Sequence, residues 1–185
     1  MIIEDGKGKN GAMSVSNVQR GNVSAKTNPR IFYSSRDEQK AYNAIMPSFS
    51  AAAGEYVFYI KNTSLTDNLF VKHIEFHGVQ AVHWKVWEVT GTAAAGTTIT
   101  PANLNLSSGL TSGTICMGGG ATITGLTTVK QIGTHRTAAG GEGEMNYENA
   151  LILGPNKAIA VEYDTGTTGI CSHDIFFWYE DIGAS

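Results

Sequence analysis

The stretch that decides the fold runs from Glu55 to Val89: EYVFYIKN (55–62), the polar turn TSLTDN (63–68), LFVKHIEFHGV (69–79) and AVHWKVWEV (81–89). Successive side chains of a strand point to opposite sides. In the first segment Tyr56, Phe58 and Ile60 therefore share one face, and Val57, Tyr59 and Lys61 the other. In the next, Phe70, Ile74 and Phe76 share a face, with Lys72 as the exception. Three such segments, each about ten residues from the next and separated by polar turns, have the rhythm of an antiparallel sandwich or barrel.

The same reading extends toward the C-terminus. NALIL (149–153) and AIAVEYD (158–164) flank GPNK (154–157), where proline sets its own φ and asparagine tolerates a positive one. Ile159, Val161 and Tyr163 point inward on this pattern. GICSHDIFFWYED (169–181) is apolar on both faces, Ile170, Phe176 and Trp178 against Cys171, Ile175, Phe177 and Tyr179. Such a strand is central, or is covered on its second face by another subunit. Upstream, AYNAIM (41–46) is a short strand, and SSRDEQKAYNAI (34–45) is the helical competitor. Between 90 and 148 small residues dominate, with islands at TTIT, GTICM and ATITGLTTVKQI. This region reads as long loops and short edge strands, with AAGGEGE (138–144) a flexible tip.

Residues 1–30 differ from the rest. Val15, Val18 and Val23 keep neither a helical face nor a strict alternation, and no large apolar residue accompanies them. A segment so poor in apolar groups cannot build its own core. The expected organisation is an extended N-terminal arm over 1–30, then one all-β, antiparallel sandwich domain over 31–185 with a loop-rich insertion around 90–148.

Composition excludes several function classes. Among 185 residues the net charge is -3, and charged residues make up 16%. Neither half is strongly basic, which argues against nucleic-acid binding through phosphate neutralisation. No apolar run approaches the ~20 residues of a membrane helix. MIIEDGKGK lacks a signal-peptide core, so the protein is expected to be made and used without secretion. Cys116 and Cys171 form no metal or redox motif and read as buried free thiols.

Candidate sites are few. GKGKNG (6–11) has glycines spaced as in a phosphate loop, but Ala12 and Met13 stand where Lys and Ser/Thr belong, and no strand–helix context surrounds it. His73 and His77 share one strand face about 13 Å apart, too far to hold one ion. A metal would need His83, expected on the adjacent strand, plus one of them and a carboxylate such as Glu75 or Asp174. Ordinary polar-face histidines are the simpler reading, so no metal or cofactor is expected. Cys171 beside His173 is a same-strand coincidence, no G-x-S-x-G occurs, and Glu55, Glu75, Glu88, Glu162 and Asp164 are scattered. No enzyme is expected. Trp84 and Trp87, three apart, must face opposite ways. One fills the core while the other meets solvent, a sugar or a second subunit. With Trp178 on a strand apolar on both sides, a subunit interface is favoured, a thick core being the alternative.

Four stretches together carry a resemblance: IEDGKGKNGAMSVSNVQRGNVSA (3–25), EYVFYIKNTSLTDNLFVKHIEF (55–76), LILGPNKAIAVEYD (151–164) and IFFWYED (175–181). They resemble the head decoration, or cement, proteins of tailed bacteriophages and related virion proteins. The resemblance implies a jelly-roll-like sandwich that forms a homotrimer on the outer capsid surface and clamps neighbouring major capsid proteins. It implies a virion protein assembled in the bacterial host cytoplasm, with no nucleic-acid or membrane partner. Lys7, Lys9, Val15, Val18, Arg20 and Val23 of the arm, with Trp84, Trp87 and Trp178, are then the expected contacts with capsid or subunit. The alternatives are a head or tail fibre protein binding host-surface glycans, or a carbohydrate-binding module using Trp84 or Trp87.

Overall fold

The computed structural model describes residues 2–4, 10–12 and 34–182, and two antiparallel sheets packed face to face form its body. A small hairpin joins β1 (Ile2–Glu4) to β2 (Asn10–Ala12). A single π-helical turn, Ser34–Glu38, precedes β3 (Ala41–Ala51), β4 (Glu55–Asn62), β5 (Asp67–Gly78) and β6 (Val82–Ala94). Short β7 (Thr98–Ile99), β8 (Ala102–Asn103) and β9 (Thr114–Gly118) follow. The chain closes with β10 (Thr124–Thr137), β11 (Gly141–Leu153), β12 (Ala158–Asp164) and β13 (Gly169–Asp181). One sheet has the order β10-β6-β12-β4-β9-β7, the other β11-β5-β13-β3-β8. The fold is thus the antiparallel β-sandwich that the alternating segments require.

Consecutive strands cross between the sheets. β4 and β6 belong to the six-stranded sheet, whereas β5, between them in sequence, belongs to the five-stranded one. The regular spacing of segments 55–89 therefore marks a sandwich whose strands change layers, and β5 and β6 are not neighbours in one sheet. β13 is central, between β5 and β3, as its two apolar faces demand.

Between the sheets lie Phe58 and Ile60 of β4, Leu69, Val71, Ile74 and Phe76 of β5, Trp84 and Val86 of β6, Ile159, Val161 and Tyr163 of β12, and Cys171, Ile175, Phe177 and Tyr179 of β13. Two bulges correct the simple alternation. In β5 the pairing with β13 jumps from His73 to Val71, so Lys72 is the extra residue. Alternation restarts there, which turns Leu69 and Val71 inward and leaves Phe70 outside, unlike the single face expected for Phe70, Ile74 and Phe76. In β4 the partner shift at Val57 puts Tyr56 outside while Phe58 and Ile60 stay inside. A bulge places two residues opposite one, so every side chain beyond it changes face.

A second apolar layer lies on the outer side of the six-stranded sheet. Tyr59, Val89, Ala158 and Ala160 are buried there under Ile123, with Trp87 and Leu126 packed against them. Ile123 is tied down by its N–H, which donates to the Tyr56 carbonyl at 3.1 Å.

The region between 90 and 148 departs from the loop-rich reading. β10 and β11 are the edge strands of the two sheets and run 14 and 13 residues. Their threonines, glycines and glutamates hide the alternation because each strand has one exposed face and few large apolar groups. Helix in 34–45 is confined to the π turn, which ends at Gln39 with φ of 57°. Ala41, Tyr42, Ala44 and Met46 are then drawn into β3 by burial beside β13. The Lys40 ammonium, 2.7 Å from both Asp67 and Asp181, fastens this entry to β5 and β13.

Candidate functional surfaces

Of the residues expected at contacts, Lys7, Lys9, Val15, Val18, Arg20 and Val23 lie outside the described residues. The three tryptophans divide among three environments. Trp84 points between the sheets and is fully buried, packed against Phe76, Tyr163 and His173, and its indole N–H donates to Thr137 Oγ1 at 3.0 Å. It reaches no surface, which corrects its expected place at a subunit or glycan contact. Its size and a satisfied N–H suit it to the core. Trp87 faces the other way, half-buried on the outer layer, and donates to Glu162 Oε2 at 2.6 Å. Trp178 lies on the outer face of the five-stranded sheet, stacked on Phe70 at 5.7 Å, its N–H bonded to Glu180 at 3.0 Å. It is 1% exposed, so it presents no open platform.

The histidines are dispersed by the topology. His83 faces outward from the six-stranded sheet, where its Nδ1 is 3.5 Å from Asp164 and its Nε2 meets Thr134 Oγ1. His73 and His77 are on the other sheet, so the contemplated site combining His83 with either of them does not form. Among the described residues no group of three His, Cys, Asp or Glu side chains is placed to hold a metal ion. His173 is buried between Phe76 and Trp84, both ring nitrogens lack a hydrogen-bond partner, and burial pushes its pKa down to about 3. The adjacent Cys171 is buried and free, as is Cys116, and burial pushes both thiols up to about 12. A neutral imidazole and thiols held this far from ionisation offer no nucleophile at neutral pH.

What the fold does bring together is a set of carboxylates. On the outer face of the five-stranded sheet, β13, β5 and β11 lie side by side, and Asp174, Glu75 and Glu144 are direct cross-strand partners. One row away Ser172, His77 and Glu142 align, and on the other side Phe176, His73 and Asn146. The resulting groove, of about 600 Å³, is lined by Glu75, His77, Glu142, Glu144, Ser172 and Asp174. Burial, reinforced by the neighbouring Glu75 charge, raises the Asp174 carboxyl above the ordinary range.

Comparison with protein-family models, with curated proteins and with solved structures finds no match.

The sequence marks Glu75 and Asp174 only as carboxylates that could accompany a histidine, whereas Glu142 and Glu144 fall in a segment read as a flexible tip. The alternation in Gly-Glu-Gly-Glu-Met-Asn-Tyr-Glu (141–148) is the signal that could have placed them on one strand face.

A second surface lies at one end of the sandwich. Leu65, Leu106, Leu110 and Ile182 are 74%, 93%, 51% and 47% exposed. Their segments adjoin: Thr63 N–H donates to the Gly113 carbonyl, Ile182 N–H to that of Thr66, and Asn103 Nδ2 to that of Leu110. The chain enters the sandwich at the same end, where Asn105 Nδ2 donates to the Ser35 carbonyl at 3.2 Å.

Proposed function

We propose that this chain is a non-enzymatic structural protein of a tailed-phage virion, a homotrimeric decoration protein on the outer capsid surface. The observation that carries the reading is the end of the sandwich where Leu65, Leu106, Leu110 and Ile182 stand exposed on adjoining loops. Large apolar side chains grouped on a surface mark contacts with other protein. The sequence resemblance of residues 3–25 and of segments 55–76, 151–164 and 175–181 to cement proteins supports the capsid as the surface contacted. A jelly-roll-like connectivity belongs to this same proposal.

The work of such a protein is thermodynamic. A ligand that binds only the assembled lattice stabilises it in proportion to ln(1 + [L]/Kd), and a trimer multiplies individually weak contacts through effective concentration. An arm of about 25 residues reaches up to roughly 80 Å when extended, enough to cross a neighbouring subunit. Mass spectrometry of purified virions together with the solution mass of the protein tests this reading. A protein absent from virions, or one that is monomeric at all concentrations, overturns it.

The glycan-binding alternative narrows to Trp87, because Trp84 is inside the core and Trp178 is covered. Trp87 beside Glu162 supplies a ring with an adjacent carboxylate. Loss of glycan-array binding in Trp87→Ala, with the melting temperature retained, would favour that alternative.

A further inference from the structure

Among the described residues the carboxylate row on β11, β5 and β13 is met by no lysine or arginine. Elsewhere lysines cover the acidic side chains: Lys40 meets Asp67 and Asp181, Lys85 meets Glu162 and Asp164, and Lys157 meets Glu88. Among the described residues no lysine or arginine pairs with Glu75, Glu142, Glu144 or Asp174. Like charges directly opposite one another destabilise a sheet. Such a row favours a partner of opposite charge.

His73 adds an independent observation. It is 8% exposed, with Nε2 3.4 Å from Glu75 Oε1 and Nδ1 3.6 Å from Glu144 Oε1, so its ring is directed into the row. Its Nε2 is buried without a hydrogen-bond partner, a condition that native structures rarely leave unanswered. The carboxylates do not converge on a point. Spread across three strands about 4.8 Å apart, they match a line of separate cationic side chains better than one ion.

This chain contains such a line. Residues 1–33 hold Lys7, Lys9, Arg20, Lys26 and Arg30 against Glu4 and Asp5, a net charge of +3, while residues 34–185 hold eight basic and 14 acidic residues, a net charge of -6. Among the described residues the β1–β2 hairpin pairs only with itself and with neither sheet. A lone two-stranded hairpin is marginal in water and needs a surface to lie on.

We propose that the acidic row is the seat for the basic N-terminal segment of a second copy of this chain. This deepens the homotrimer reading and rests on it for the presence of that second copy. The row meets lysine and arginine heads, and the backbone of the arm needs no apolar side chains to follow the sheet.

The test is a titration of a fluorescently labelled peptide of residues 1–33 into the full-length protein, read by anisotropy. Binding is expected at low ionic strength and should weaken at least about tenfold at high salt, because exposed ion pairs are screened. The E75Q/E144Q/D174N variant should bind about tenfold more weakly, as the loss of several modest pairs implies. Glu88→Gln, remote from the groove, should leave binding unchanged. Circular dichroism and a thermal melt establish that the triple variant is folded, and the single Glu144→Gln, at an exposed position, replaces it otherwise. Equal affinity for the wild-type protein and the charge variant, or binding indifferent to salt, overturns the proposal. In a mixture of isotopically light and heavy protein, cross-links between residues 1–33 and the row that form only within one isotope place the segment on its own sheet and overturn the assignment to a second copy. A monomeric solution mass overturns the trimer separately, since the peptide titration reads the seat whatever the oligomeric state.

Discussion

At the scale of single residues, the two tryptophans of β6 separate structure from surface. Trp84 is enclosed by Phe76, Tyr163 and His173, so Trp84→Ala should cost about 3–5 kcal/mol, read as a drop in the denaturant midpoint. Trp87→Ala removes a half-buried ring from the outer layer and should cost less than about 2 kcal/mol. That Trp84 and Trp87 face opposite ways was legible from their spacing. Which of them is inward was not, because either face of an isolated strand can be the buried one. His173 offers a second measurement. Its pKa lies at about 3 in the fold against ~6.5 in the unfolded chain, so the unfolded state takes up a proton first as pH falls. Its burial therefore carries no proton-linked cost above about pH 6.5, and stability declines between about pH 6.5 and 3, by at most about 1.4 kcal/mol per pH unit. In His173→Leu this part of the acid sensitivity should vanish from a series of chemical denaturations across pH. An unchanged pH profile would refute the role of the imidazole. Cys116 and Cys171 should stay unreactive to a thiol reagent until the protein is unfolded.

At the scale of elements, the bulges decide what alternation alone cannot. The apolar alternation of 55–62 and 158–164 identified β4 and β12 because each buries a face in the core, and the observed strands carry those same bounds. The Lys72 bulge was foreshadowed only by a charge at an apolar position. Its effect, inverting Leu69, Phe70 and Val71, depends on pairing with β13. Where β6 meets β10 another irregularity rests on glycine. Gly91 has φ of 101° and Gly125 φ of 77°, and a Cβ on Gly91 would run into the Gly125 carbonyl oxygen. Gly91→Ala should thus destabilise the protein by about 1–3 kcal/mol and lower its melting temperature, since a positive φ and a backbone clash add. A melt unchanged within about 1 °C would show that the β6–β10 pairing relaxes freely at this point. The sequence reading caught β10 only in ATITGLTTVKQI and β11 only in NALIL, because exposed edge strands are specified by hydrogen bonding to β6 and β5, and small or polar side chains are compatible with that role.

At the scale of the whole molecule, the sandwich and residues 1–33 are separable in their consequences. Among the described residues the core between the sheets runs from Tyr42 to Tyr179, so deleting residues 1–28 should leave the β-sheet circular dichroism spectrum and the cooperative melt intact. On the proposed function the same deletion should loosen the trimer and weaken co-sedimentation with capsids, and an unchanged trimer with full attachment would refute a role for residues 1–28 in assembly. The acidic row and the apolar end were only partly legible beforehand. Glu75 and Asp174 were visible as carboxylates on strands, but their adjacency to each other and to Glu144 is created by β13 and β11 flanking β5, strands nearly 100 and 70 residues away in the chain. The exposed Leu106 and Leu110 sat in a stretch without periodicity, where a leucine gives no sign of whether it is covered.

The sequence by itself determined the class of fold and which segments supply the core, because a period-two apolar pattern is satisfied by strands with one face buried. It also determined the charge asymmetry between residues 1–33 and the remainder. Tertiary structure alone decided which strands share a sheet, where the bulges reverse a face, that Trp84 is inside and Trp87 outside, and that the carboxylates of three distant segments form one row. The reason is physical: alternation is a local property of each strand, whereas pairing and register are set by partners far along the chain, and surface sites are made from pairing and register.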